Sequence, residues 1–154
     1  MAEMSLSVKN SFVRTEAFAY KIDGKLTNVL WSEYSDYLML IISQLGTTGT
    51  VVCARKEKNI DGDDNYNLST LMGKRDEPGI HYICKQISEM ASSYNYERPI
   101  LFSIALENHL PSTMKQVLSA IAQDNIWLMA IAAAKAARQR LNRPIGELLE
   151  DNDV

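Results

Sequence analysis

The chain has 154 residues, with 16 Lys+Arg against 19 Asp+Glu, and therefore a formal charge of −3. Hydrophobic residues make up 46% and charged residues 23%, ordinary values for one folded domain with a real core. A mild acidic excess offers no long-range attraction to nucleic acid or anionic lipid, and no apolar run approaches the ~20 residues of a membrane span.

The amino-terminal Met1-Ala2-Glu3-Met4-Ser5 carries an acid where a signal peptide has bases. The two cysteines, Cys53 and Cys84, are too few for a disulfide framework, which predicts a reducing compartment: the cytoplasm, with the nucleus as a second location. Residues 1–11 read as a polar, flexible terminus. Phe12–Ile22 is rich in strand formers and is followed by Asp23-Gly24 and then Leu26–Trp31. Asp-Gly between two such runs predicts a two-residue hairpin, because both central positions need positive φ. Tyr37–Ser43 and Thr50–Arg55 are further strands, and Gly46-Thr47-Thr48-Gly49 between them suits a second hairpin. Residues 56–66 are charged and turn-forming and read as an exposed loop, with a short strand at Leu68–Met72.

Asp76-Glu77-Pro78 has the form of a helix start, an acid beside Pro in the first turn. Behind it Ile80, Ile83, Cys84, Ile87, Met90, Ala91 and Tyr94 recur at helical spacing, leaving His81, Lys85, Glu89 and Ser92 outward. Pro99–Leu106 is another apolar strand. Pro111-Ser112 opens a second helix with Met114, Val117, Leu118, Ile121 and Ala122 inward, continuing on propensity to Asn142. The expected fold is α+β: a mainly antiparallel sheet of about six strands, two helices on one face, and the other face packing in a dimer.

The dimer expectation comes from two strands that are apolar on both sides. Leu38, Leu40 and Ile42 point one way while Tyr37, Met39 and Ile41 point the other. Ile100, Phe102, Ile104 and Leu106 share one face, and Leu101, Ser103 and Ala105 the opposite one. Two helices cover one face only, so Tyr37, Met39, Ile41, Leu101, Ser103 and Ala105 are the candidate partner-binding residues; the alternatives are a carboxy-terminal helix folded back over this face, or central strands of a three-layer domain.

Chemistry-bearing motifs fail on inspection. His81 and Cys84 are too few to close a zinc site, and Cys84 belongs to the apolar stripe, where a thiol is inert. Asp61, Asp63 and Asn65 have calcium-loop spacing, but Tyr66 stands where Gly is required and Met72 where the bidentate Glu belongs. Gly73-Lys74 lacks the first Gly and the Ser/Thr of a phosphate loop. Lys135, Arg138, Arg140 and Arg143 are offset by Glu147, Glu150, Asp151 and Asp153. The residues alone predict a non-enzymatic interaction domain with no metal or cofactor. A small Cys/His enzyme, a ligand-binding domain and a regulatory α+β scaffold are the alternatives.

Three stretches together resemble the proteasome assembly chaperone 3 family. Gln44–Thr50 is similar to its strand–Gly-x-x-Gly-Thr–strand segment, where Gly46 and Gly49 shape a hairpin. Leu71–His81 is similar to its Leu-Gly-x-x-Asp-Glu-Pro-x-Ile-His segment, here with Asp76, Glu77, Pro78, Ile80 and His81. The third is the strand–loop–helix run from Ile100 to Trp127. The resemblance covers roughly Phe12 to Trp127, which implies a domain over 12–127 with 128–154 as a helical extension and acidic tail, and it implies a non-catalytic chaperone with no active site. Such a protein would dimerise with a related small chaperone, the fourth of that set, or with itself. It would assist formation of the α-subunit ring of the proteasome core particle by binding α-type subunits. The resemblance implies structural roles for the matched motif residues.

Overall fold

The computed structural model describes residues 5–7 and 14–123. Seven strands, β1 (Ser5–Ser7), β2 (Arg14–Ile22), β3 (Lys25–Glu33), β4 (Leu38–Ser43), β5 (Thr50–Lys58), β6 (Asp64–Met72) and β7 (Ile100–Ala105), form one sheet in the order β1-β2-β3-β4-β7-β5-β6. Two helices, α1 (Pro78–Ser93) and α2 (Pro111–Gln123), pack on one face. Within the stretch read as a polar terminus, Ser5–Ser7 pairs with Glu16–Phe18 and adds a strand to the sheet's edge. The helix expected to run on to Asn142, and the tail beyond it, lie outside the described residues.

The first hairpin forms as its sequence demands. Asp23 and Gly24 sit at φ 51° and 74°, so Ile22 and Lys25 pair directly across a two-residue loop. Asp23 then reaches the second helix. Its carboxylate accepts hydrogen bonds from Thr113 Oγ1 and from Gln116 Nε2, the latter at 2.7 Å. Its own backbone amide donates to Gln116 Oε1 at 3.1 Å. These bonds hold the Asp23 carboxyl below its ordinary range, the Thr113 hydroxyl being the largest cause.

The second expected hairpin does not exist. β7 lies between β4 and β5, parallel to β4 from Leu38↔Ile100 to Ser43↔Ala105 and antiparallel to β5 from Thr50↔Ile104 to Ala54↔Ile100. The Gly46–Gly49 segment instead crosses over the end of β7. Gly49 presses so closely on this strand that a Cβ there would overlap the Ile104 carbonyl and stand 2.7 Å from Ala105 Cα. Gln44 ties the crossing down: its amide nitrogen donates to Ala105 O at 2.8 Å, and its side chain accepts from Glu107 N at 3.1 Å. Local turn chemistry could not reveal this, because the inserted strand comes some fifty residues later and is chosen by its two apolar sides.

The charged stretch 56–66 is mostly strand, not loop. β5 runs to Lys58 and β6 begins at Asp64, leaving a five-residue turn at 59–63. At the sheet's edge, charge is tolerated on strands because it can reach water or a partner. Lys56 Nζ lies 3.1 Å from Asp64 Oδ2, 3.3 Å from Glu97 Oε1 and 3.0 Å from Ser92 Oγ, pinning this hairpin to the end of α1.

The core lies between sheet and helices. Trp31, Leu38, Leu40, Ile42, Val52, Phe102 and Ile104 from the strands meet Ile80, Ile83, Cys84, Ile87 and Ala91 of α1 and Met114, Val117 and Ile121 of α2. The helical stripes need correction at several positions. Tyr94 is the exposed cap residue that follows α1, while Ser88 is buried because its hydroxyl donates to Cys84 O at 2.8 Å. Ala122 is exposed and Leu118 half-buried, whereas Thr113 and Ala120 turn inward. His81 and Ser92 are outward in phase yet reach strand residues Thr70 and Lys56.

Candidate protein-interaction face

The face of the sheet opposite the helices is built by alternation along the strands, broken once in β6. Registers place its side chains in rows across six strands. One row runs Ala17, Leu30, Ile41, Ser103, Val51, Met72, and the next Thr15, Ser32, Met39, Leu101, Cys53, Ser69. A third row carries Ala19, Asn28, Ser43 and Ala105. No charged residue falls in any of the three. Six strands at about 4.8 Å spacing make this face about 24 Å wide, and three rows of alternate residues give it a footprint of ~500 Å².

Of the sequence-predicted residues, Met39, Ile41 and Leu101 are half-buried on this face. Ser103 and Ala105 belong to it but are buried. Tyr37 falls one residue before β4, in a turn where its carbonyl accepts from Tyr34 N at 2.9 Å and its ring stacks on Tyr34 at 4.6 Å. Leu30, Val51, Cys53 and Met72 escaped the sequence reading. Leu30 could have been found, since Val29-Leu30-Trp31 is apolar on both sides in the same way. Met72 could not. A bulge between Val51 and Val52 shifts the register of β6, leaves Leu71 as the extra residue, and sets Met72 opposite Val51. Leu71 and Met72 are both largely exposed.

The motif residues converge on the start of α1 rather than on the open face. Pro78 takes the first helical position after Glu77. The Glu77 carboxylate holds His109 Nδ1 at 3.1 Å and Lys74 Nζ at 3.6 Å, joining the helix start to the β7–α2 loop. Ile80 is buried, His81 Nε2 lies 2.9 Å from Thr70 Oγ1, and Asp76 is exposed. Gly46, at φ 68°, takes a left-handed turn that glycine enters without steric cost. Cys84 is fully buried, and burial pushes its thiol far above the ordinary range, while His81 is engaged by Thr70. The two are not arranged as nucleophile and base. Among the described residues, no three His, Cys, Asp or Glu side chains gather as metal ligands.

Comparison with known proteins adds an independent line. The family model described as Proteasome assembly chaperone 3 matches residues 40–124. A Nematostella vectensis protein of that name is 32% identical over 124 residues, spanning 75% of this chain and 91% of the relative. The Bos taurus protein of that name is 26% identical over 106 residues, spanning 68% and 86%. Among solved structures, a chain from the "Crystal Structure of a Novel Chaperone Complex for Yeast 20S Proteasome Assembly" superposes with a TM-score of 0.60 at 16% identity, over 71% of this chain and 96% of that one. This likeness establishes a shared fold.

Proposed function

The chain belongs to the proteasome assembly chaperone 3 family, and from that premise we propose that it works without catalysis, as one half of a chaperone pair. Its open sheet face binds a related small chaperone, and the pair binds α-type subunits while the α-ring of the proteasome core particle forms. Release follows when later subunits compete for the same surfaces. The cytoplasm and nucleus are where this activity would take place, in keeping with two unpaired thiols.

One observation carries this reading: two charge-free rows that each cross six strands, with Leu30, Met39, Ile41, Leu101, Val51 and Met72 turned away from the core. Isolated apolar patches of more than a few hundred Å² are rare on monomers, and sheet-on-sheet packing is the usual way to cover one. A heterodimer with the related chaperone is the assignment; a homodimer uses the same face with a second copy.

The test is Ile41→Asp. The side chain points out of the sheet, so the variant folds, with an unchanged circular dichroism spectrum. A carboxylate buried unpaired in the interface costs several kcal/mol, so pairing weakens by at least about 100-fold. Purified wild-type chain recovers a second small chaperone and α-type subunits together, and Ile41→Asp recovers neither. A folded Ile41→Asp chain that pairs like wild type refutes the assignment of this face.

A further inference from the structure

A groove on the helix layer, on the far side of the sheet from the open face, remains without a role. Where α1 and α2 begin, Pro78, Tyr82, Pro111 and Met114 form the apolar walls of a cavity of about 380 Å³, with His109 and Lys115 completing its lining. Tyr82 is 49% exposed, and the neighbouring Leu110 is 58% exposed. This is an apolar surface among largely polar outward helix positions such as Lys85, Glu89 and Gln116.

The charges around it are unbalanced. Glu77 is taken up by His109 and Lys74. Lys115 has no carboxylate partner among the described residues, and Lys85 stands exposed one turn beyond Tyr82. The groove is therefore apolar, with the Lys115 cation unpaired in its lining. The groove is also preformed. Gly79 packs against the β7–α2 loop so closely that a Cβ would stand 3.1 Å from His109 Cβ, and Met114 N donates to Leu110 O at 3.1 Å. A rigid apolar slot with one free cation at its rim fits an apolar side chain followed or preceded by a carboxylate.

We infer that this groove holds an acidic–apolar segment of a proteasome α-type subunit while the open face holds the partner chaperone. The inference rests on the function proposed above. Because the two surfaces lie on opposite sides of the sheet, both can be engaged at once.

The experiment uses the full chain paired with its chaperone and purified α-type subunits, assayed one by one for affinity. Tyr82→Ser and Lys115→Glu each weaken subunit binding at least 10-fold and leave chaperone pairing unchanged, and Lys115→Arg binds like wild type. Raising salt weakens the wild-type pair and flattens in Lys115→Glu, since a screened charge pair is lost. Subunit binding by Tyr82→Ser and Lys115→Glu equal to wild type overturns the groove assignment alone, and so does loss of chaperone pairing in either variant. A wild-type pair that binds no α-type subunit overturns the proposed function itself, and the groove assignment with it.

Discussion

Replacing Gly49 with Ala tests the strand order directly. The added methyl would overlap the Ile104 carbonyl and stand 2.7 Å from Ala105 Cα, where carbon atoms prefer about 3.5–4.0 Å. Those are backbone atoms of a central strand bonded on both sides, so no side chain can swing aside. Relief requires a backbone shift of roughly 1 Å. That shift breaks the Thr50↔Ile104 pairing and the 2.8 Å bond from Gln44 N to Ala105 O. Two or three hydrogen bonds lost at about 1 kcal/mol each, less ~0.5 kcal/mol regained by stiffening the unfolded chain, leave a net loss of about 2 kcal/mol. With a urea slope of about 2 kcal/mol per molar, the midpoint falls by about 1 M. The measurement is urea denaturation at fixed chain concentration, with Gly46→Asn as control. Gly46 needs only a left-handed backbone, which Asn tolerates, and nothing stands within 4 Å of its missing Cβ. A Gly49→Ala midpoint equal to wild type would refute the crossing over β7, because only a simple β4–β5 turn leaves room for that methyl.

Two further outcomes follow from the same structure. A thiol reagent labels Cys53, half-exposed on the open face, and spares the buried Cys84; adding the partner chaperone slows Cys53 labelling at least 10-fold by peptide mass spectrometry, and unchanged labelling in the complex contradicts the docking face. Asp23 titrates below its ordinary range in the folded chain because Thr113 and Gln116 donate to it. A depressed carboxyl stabilises the fold above its unfolded pKa and loses that contribution as pH falls through the folded pKa. The hairpin–α2 clasp therefore holds at neutral pH and loosens in acid. Side-chain carboxyl shifts followed by NMR should show Asp23 moving back toward the ordinary range in Thr113→Val, and an unmoved titration would count against the clasp.

The start of α1 shows how a local signal survives folding. Pro78 after two acids forces a helix start through its fixed φ, and the Ile80–Ala91 stripe follows at helical spacing. What the motif does was not legible. Glu77 meets His109 across 32 residues, and His81 meets Thr70 on a neighbouring strand, contacts that exist only once the chain has packed. The extra width of the open face was equally hidden at Met72, because the bulge that turns it there is a property of paired strands.

The fold class, the Asp23-Gly24 turn, both helix starts and the doubly apolar character of Leu38–Ser43 and Ile100–Leu106 are all legible in the residues of single segments. Each of these depends on backbone sterics or on a period of two or 3.6 within one segment. The insertion of β7 between β4 and β5, the edge hairpin made by the charged stretch, and the groove where the helices begin arise from packing between distant parts of the chain. Those features depend on which distant segments share a surface, and burial, not local propensity, makes that choice.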